Sequence, residues 1–234
     1  MRFWGQRDSF RVANHMMVWF CMSMTTPNDE KPIILVCGFG RCGTSLMMQM
    51  LAAGGIPVVG GAPGYEEEVP AGADAAYWLE HYAGRAIKVL DPQRERPPAG
   101  LNYKIIWLDR AFRQQALSQI KFIKMMEAGK YIPPAKWQVK RMEKLNIAER
   151  PRAIATIYGL AGKENCFGLM FEQLIVAPNI AAKQIWDVLG QYSTLPAEQA
   201  DAHVLSMAAV VRPRSPENYP GLMELTLREL VEAA

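Results

Sequence analysis

The chain has little cysteine and histidine: Cys21, Cys37, Cys42 and Cys166, with His15, His81 and His203, among 234 residues. No two cysteines stand at a Cys-x-x-Cys spacing, and the histidines are scattered. These absences argue against a zinc cluster and a disulfide framework, and point to a reducing, cytoplasmic setting. Charge of one sign is also lacking. A net charge of +3 does not single out a nucleic-acid partner, so none is expected. Nor is there a long apolar run near the N-terminus, where Met16-Met-Val-Trp-Phe-Cys-Met22 falls well short of the ~20 residues that cross a bilayer. Asp8 interrupts its basic flank, which argues against a signal peptide. The expectation is a poorly structured lead-in over residues 1–24, one domain over 25–234, and no membrane partner. Internal repeats and low-complexity tracts are absent too.

What is present is globular: half of the residues are hydrophobic and 21% are charged. Ile33-Ile-Leu-Val-Cys37 is an unbroken, β-branched run, the pattern of a strand covered on both faces of a parallel sheet. A glycine-rich turn follows, then a helix from Thr44 that ends at Gly54-Gly55. Further strands are predicted at Ile56–Val59, Ala86–Leu90, Tyr103–Leu108 and Cys166–Met170. Helices are predicted near residues 73–82, 112–127, 134–162 (with a break near Pro151), 180–189 and 222–231, in an otherwise loop-rich tail after Pro196. Strands alternating with helices specify an α/β fold, a doubly wound, mostly parallel sheet of about five strands with helices on both faces.

The turn carries the chemistry. Gly38-x-x-x-x-Gly43 has the frame of a phosphate-binding loop, but Thr44-Ser45 stand where a nucleotide hydrolase carries lysine and a hydroxyl residue. Glycines let backbone N–H groups turn inward around an anion, and the next helix offers its positive end. Arg41 supplies charge from inside the loop, and Thr44 and Ser45 supply hydroxyls. A second junction, Leu108-Asp-Arg110, ends another strand, and Ser118 lies eight residues after Arg110 in the next helix. Strand ends in such sheets share one edge, so Arg110 is expected beside the loop, where its planar fork suits a second phosphate.

Here the sequence resembles the P-loop sulfotransferase superfamily, which uses 3′-phosphoadenosine 5′-phosphosulfate (PAPS). Arg41-Cys-Gly-Thr-Ser45 matches the family's 5′-phosphosulfate loop, with Cys42 in place of the usual serine. Arg110 and Ser118 match its 3′-phosphate pair, and Phe171-Glu-Gln-Leu-Ile-Val-Ala-Pro178 matches a supporting segment. The resemblance spans roughly residues 33–190. It implies a donor site of Gly40, Arg41, Cys42, Gly43, Thr44, Ser45, Arg110 and Ser118, with Arg212 in a basic loop closing over the nucleotide. It also implies transfer of a sulfuryl group, without a metal, to a hydroxyl or amine of a small-molecule, glycan or peptide acceptor.

Such a transfer needs positive charge, an in-line acceptor and usually a base. Arg41 is the expected electrostatic catalyst. For the base, some family members place a glutamate near Glu66-Glu67-Glu68, with Glu66 foremost; His81 is the other candidate. Three adjacent acids also suit a plain solvated loop, and a lone histidine among Trp, Tyr and Leu is commonly packed. Lys88 would point toward the ligand or simply be solvated. Cys42 at a helix start either supports the backbone or is a reactive thiol. The basic run 130–152, with Trp137, either holds an acidic acceptor or is an amphipathic face balanced by Glu143 and Glu149. The rival functions are a kinase or nucleoside-triphosphate hydrolase, disfavoured by the missing lysine, and a nucleotide-binding protein without catalysis.

Overall fold

The computed structural model describes residues 31–128 and 132–212. The expected lead-in over 1–24, Arg214 and the helix expected at 222–231 lie outside the described residues.

The first strand, β1 (Ile33–Gly38), is fully buried along its length, as its apolar run requires. It lies between β2 (Ala86–Leu90) and β3 (Tyr103–Asp109), and β3 pairs on its far side with β4 (Cys166–Met170). All three pairings are parallel, and the order is β2-β1-β3-β4. Alternate β1 residues feed two cores. Ile34 and Val36 face a core with α1 (Thr44–Ala53), α6 (Pro178–Leu189) and α7 (Ala200–Ala209). Ile33, Leu35 and Cys37 face the other core, with α2 (Ala75–Tyr82) and α4 (Lys136–Ala161). Fully burying each such aliphatic side chain stabilises the fold by about 1.5–3 kcal/mol, which commits the run to the sheet centre.

The fold is therefore the α/β one that the sequence specifies, with four strands among the described residues rather than about five. The missing strand is Ile56–Val59. It meets β2 at a single bridge, Val58 to Ala86, flanked by hydrogen bonds from Ala86 N to Pro57 O and from Val59 N to Ala86 O. Pro57 has no N–H with which to extend the ladder.

Three helical features also differ. Pro151 sits inside an unbroken α4, not at a break. Just before it, Arg150 holds the Asp109 carboxylate through two nitrogens at 2.5–3.1 Å, and just after it Ala153, Ile157 and Leu160 pack into the core. Tertiary packing thus overrides the local penalty of proline. The short helix α5 (Phe171–Val176) follows β4, and α7 occupies a stretch read as loop. Val204, Met207 and Ala208 of α7 are buried against the rest of the core.

The topology places the site. The chain leaves β1 through α1 toward β2 on one side, and leaves β3 through α3 (Phe112–Ala128) and α4 toward β4 on the other. The carboxyl ends of β1 and β3 flank that divergence, where open α/β sheets leave a crevice for ligands.

Candidate functional site

The loop after β1 runs from Phe39 to Gly43 and turns into α1. Gly43 caps the helix at φ 98, a left-handed conformation that suits glycine. A Cβ there would come within 2.4 Å of the Phe171 ring, so glycine is required on two counts. Arg41 also adopts a positive φ, 68. A non-glycine residue holds that conformation only where its surroundings enforce it.

The surroundings are explicit. Arg110 donates to the Arg41 carbonyl at 2.9 Å. Gln115 donates to the carbonyls of Phe39 and Gly40 at 3.3 and 3.1 Å, and Gln119 to that of Gly40 at 3.0 Å. Asn146 of α4 in turn donates to Gln119 Oε1 at 2.8 Å. Carbonyl oxygens that would repel an anion are thereby tied to donors. The sequence singles out none of Gln115, Gln119 and Asn146: two are amides on the α3 turns around Ser118 and the third is an Asn within a basic helix.

The two anchors come together. Arg41 Nε donates to Ser118 Oγ at 3.3 Å, linking the first loop to the second junction. Arg110 and Ser118 are both buried. The Arg110 guanidinium lies 4.4 Å from the centroid of the Phe171 ring, and that of Arg41 lies 5.2 Å from Phe122. Phe171, expected only as part of a supporting segment, thus touches both halves of the site. Next to it, Glu172 accepts from the Ala111 N–H at 3.1 Å, fixing the turn that follows Arg110.

A third cation comes from β2. Lys88 has a side chain only 2% exposed, yet it is aimed at the loop. Its Nζ donates to Ser45 Oγ at 3.3 Å and to the Gly64 carbonyl at 2.6 Å, and it pairs closely with Glu66 Oε1. Buried ammonium groups need such partners. Glu66 itself is 73% exposed at the side chain, so one edge of its carboxylate remains open to solvent. Its loop is fastened from both sides: Gln49 of α1 donates to the Pro63 carbonyl at 3.1 Å, and Glu66 bridges Gly61. Glu67 and Glu68 are exposed on the same loop.

Other expected residues lie elsewhere. His81 lies in the last turn of α2, with Nδ1 2.9 Å from the Tyr77 carbonyl and its ring stacked on Tyr77 at 4.0 Å. These contacts are internal to its helix. Arg212 is exposed, three residues beyond the end of α7. Thr44 is buried at the first turn of α1. Cys42 is fully buried, and burial pushes its thiol up to about 12. That leaves it protonated at neutral pH, in keeping with backbone support rather than reactivity.

One further carboxylate was not anticipated. Asp91 follows β2 at φ 49, and its N–H donates to the Gly38 carbonyl at 3.1 Å. It therefore sits on the same edge as the loop. Burial raises its pKa above the ordinary aspartate value, against an opposing effect of Arg94. Among the described residues no group of three His, Cys, Asp or Glu is placed to hold a metal, and no helix is long and apolar enough to cross a membrane.

No protein family matches this sequence by its profile, and no curated protein matches it. Solved structures do resemble it in fold. The mouse sulfotransferase SULT7A1, complexed with PAP, is 13% identical with a TM-score of 0.44, covering 79% of this chain and 66% of its own. The sulfotransferase STF9 from Mycobacterium avium is 11% identical with a TM-score of 0.46, covering 87% of this chain and 74% of its own. This chain thus spans about two thirds of the length of the first. Both likenesses concern overall fold and say nothing of this chain's activity.

Proposed function

We propose that the protein is a PAPS-dependent sulfotransferase. The observation that carries the reading is the junction of the two anchors: Arg41 Nε to Ser118 Oγ at 3.3 Å, with Arg110 on the Arg41 carbonyl at 2.9 Å. Two cations and a hydroxyl from separate strand ends converge, as a ligand with two separated anionic groups demands. The donor set fits that ligand: three cationic side chains, the hydroxyls of Thr44, Ser45 and Ser118, and the positive end of α1.

When bound, PAPS would supply the sulfuryl group, an S–O or S–N bond forming to the hydroxyl or amine as the bridging S–O bond breaks and adenosine 3′,5′-bisphosphate leaves. The chain's own residues do the rest. The loop amides, Arg41 and Ser45 hold the 5′ end, while Arg110 and Ser118 hold the 3′-phosphate. Lys88, already beside Ser45, offsets charge on the departing side. Glu66 takes the acceptor's proton: its carboxylate is tied to Lys88 at one oxygen and open to solvent around the other. The acceptor is a small molecule, glycan or peptide bearing a hydroxyl or amine. His81 has the weaker claim to the proton, since its ring is committed to Tyr77.

Calorimetry with adenosine 3′,5′-bisphosphate against ATP-Mg²⁺ tests the reading. Preferential binding of the bisphosphate, lost in Arg110→Ala, is the expected result. Preference for ATP-Mg²⁺, or indifference to the substitution, would overturn it.

A further inference from the structure

The outer halves of α3 and α4 are an arm with almost no core of its own. The amides of Asn146 and Gln119 pair the two helices, and Lys124 Nζ donates to the Pro133 carbonyl at 3.0 Å, so the helices run antiparallel toward their connection. Between Lys136 and Arg152 the only buried residue is Asn146, and beyond Ser118 α3 buries none. The sheet contacts of α4 come from its other half, through Ala153, Ile157 and Leu160.

What the arm exposes is unusual. Of the twelve large apolar side chains exposed among the described residues, six fall in it: Phe122, Ile123, Met126, Trp137, Leu145 and Ile147. Trp137 and Met126 are 65% and 68% exposed. Over residues 121–128 and 132–145, six lysines and arginines stand against two glutamates, a net +4 that exceeds the +3 of the whole chain. On α4, Trp137, Lys140, Arg141, Lys144 and Leu145 recur at helical spacing and line one open depression. Glu143 and Glu149 do not balance this face, and Glu149 is paired with Arg152.

We propose that this arm docks on an anionic lipid bilayer, a peripheral contact that the sequence reading did not expect. Exposed tryptophan and leucine suit the apolar boundary of headgroups and chains, and lysine and arginine suit anionic headgroups. A second copy of the arm is disfavoured by like charge. An acidic peptide fits less well, because every described side chain lining the depression belongs to α4, and the described residues offer no second wall to grip an extended chain. A planar partner needs no such wall.

Sedimentation of the full chain with phosphatidylserine/phosphatidylcholine vesicles, against phosphatidylcholine alone, tests the proposal. Phosphatidylserine should tighten binding by about tenfold or more, and the gain should vanish near 1 M salt, where the screening length is ~3 Å. Lys140→Glu/Lys144→Glu should abolish the preference and Trp137→Ser should weaken binding. Lys163→Glu, outside the arm, should leave it intact, with circular dichroism confirming that each variant folds. Three results would overturn the proposal: no effect of phosphatidylserine, binding of polyglutamate without binding of vesicles, or concentration-dependent dimers without binding of vesicles.

Discussion

The ammonium of Lys88 lies 3.3 Å from Ser45 Oγ, so a neighbouring strand delivers to the start of α1 the lysine that the loop itself lacks. The register of β2 on β1 sets this up, pairing Lys88 with Val36 in mid-sheet, and the side chain runs buried toward the loop. Lys88→Met keeps the apolar stem and removes the charge. On the proposed function it should lower sulfuryl transfer by ~10–100-fold, a loss of ~1.4–2.8 kcal/mol at the transition state. Steady-state kinetics check this, with a cooperative melt as evidence of folding. An unaltered kcat would remove Lys88 from the chemistry.

Glu66→Gln separates binding from proton removal. The amide retains a hydrogen bond for Lys88 but is no base. Affinity for adenosine 3′,5′-bisphosphate should change by less than about threefold, while kcat falls by roughly 10²–10⁴. A bisphosphate affinity unchanged beside a normal kcat would return the search for the base to other residues, Asp91 and His81 first.

The tie between Gly43 and Phe171 makes a steric prediction. In Gly43→Ala the new Cβ would meet a ring carbon at 2.4 Å, on a backbone at φ 98. Left-handed strain and overpacking together cost about 2–5 kcal/mol. A melt should show a large fall in Tm, and calorimetry a loss of bisphosphate binding. Gly43→Ala/Phe171→Leu should recover part of the stability, because it removes the clash but leaves the strain. No recovery would mean that the backbone conformation alone carries the requirement.

How legible this was in the sequence differs from residue to residue. β2 and β4 have the bounds expected from their apolar runs; β2 declares itself by the composition of a buried parallel strand, whereas β4 lies at the sheet edge with Leu169 alone buried. That Arg41, Arg110 and Ser118 come together was legible because the strand ends of a parallel sheet share one edge. Ile56–Val59 was misread because periodicity cannot reveal that a proline will curtail the ladder. The amide bracket of Gln115, Gln119 and Asn146 was illegible for another reason: it depends on α3 and α4 packing together, which no local pattern encodes. Phe171 lies in the same position, since its importance arises only once β4 sets its ring against Gly43.

The buried thiol in the loop offers a chemical check. With Cys42 pushed to about 12 by burial, almost no thiolate exists at neutral pH. Iodoacetamide should therefore leave Cys42 unmodified in the folded protein over hours and modify it promptly in denaturant, as read by peptide mass spectrometry. Rapid native-state labelling would contradict the buried position.

Asp91 carries the pH prediction, and the sign follows from the direction of its shift. Burial raises its folded-state pKa above the unfolded value, so the unfolded chain gives up this proton at lower pH than the folded one. Ionisation of Asp91 thus weakens the fold progressively as pH rises from the unfolded pKa through the folded one. Asp91→Asn removes the charge, and asparagine tolerates φ 49 as well as any residue but glycine. The variant should melt above the parent at pH 7, and the difference should close as pH falls below the ordinary aspartate range, where the parent's carboxyl is neutral too. A variant that melts below the parent at pH 7 would show instead that the ionised carboxylate is held favourably at the end of β2.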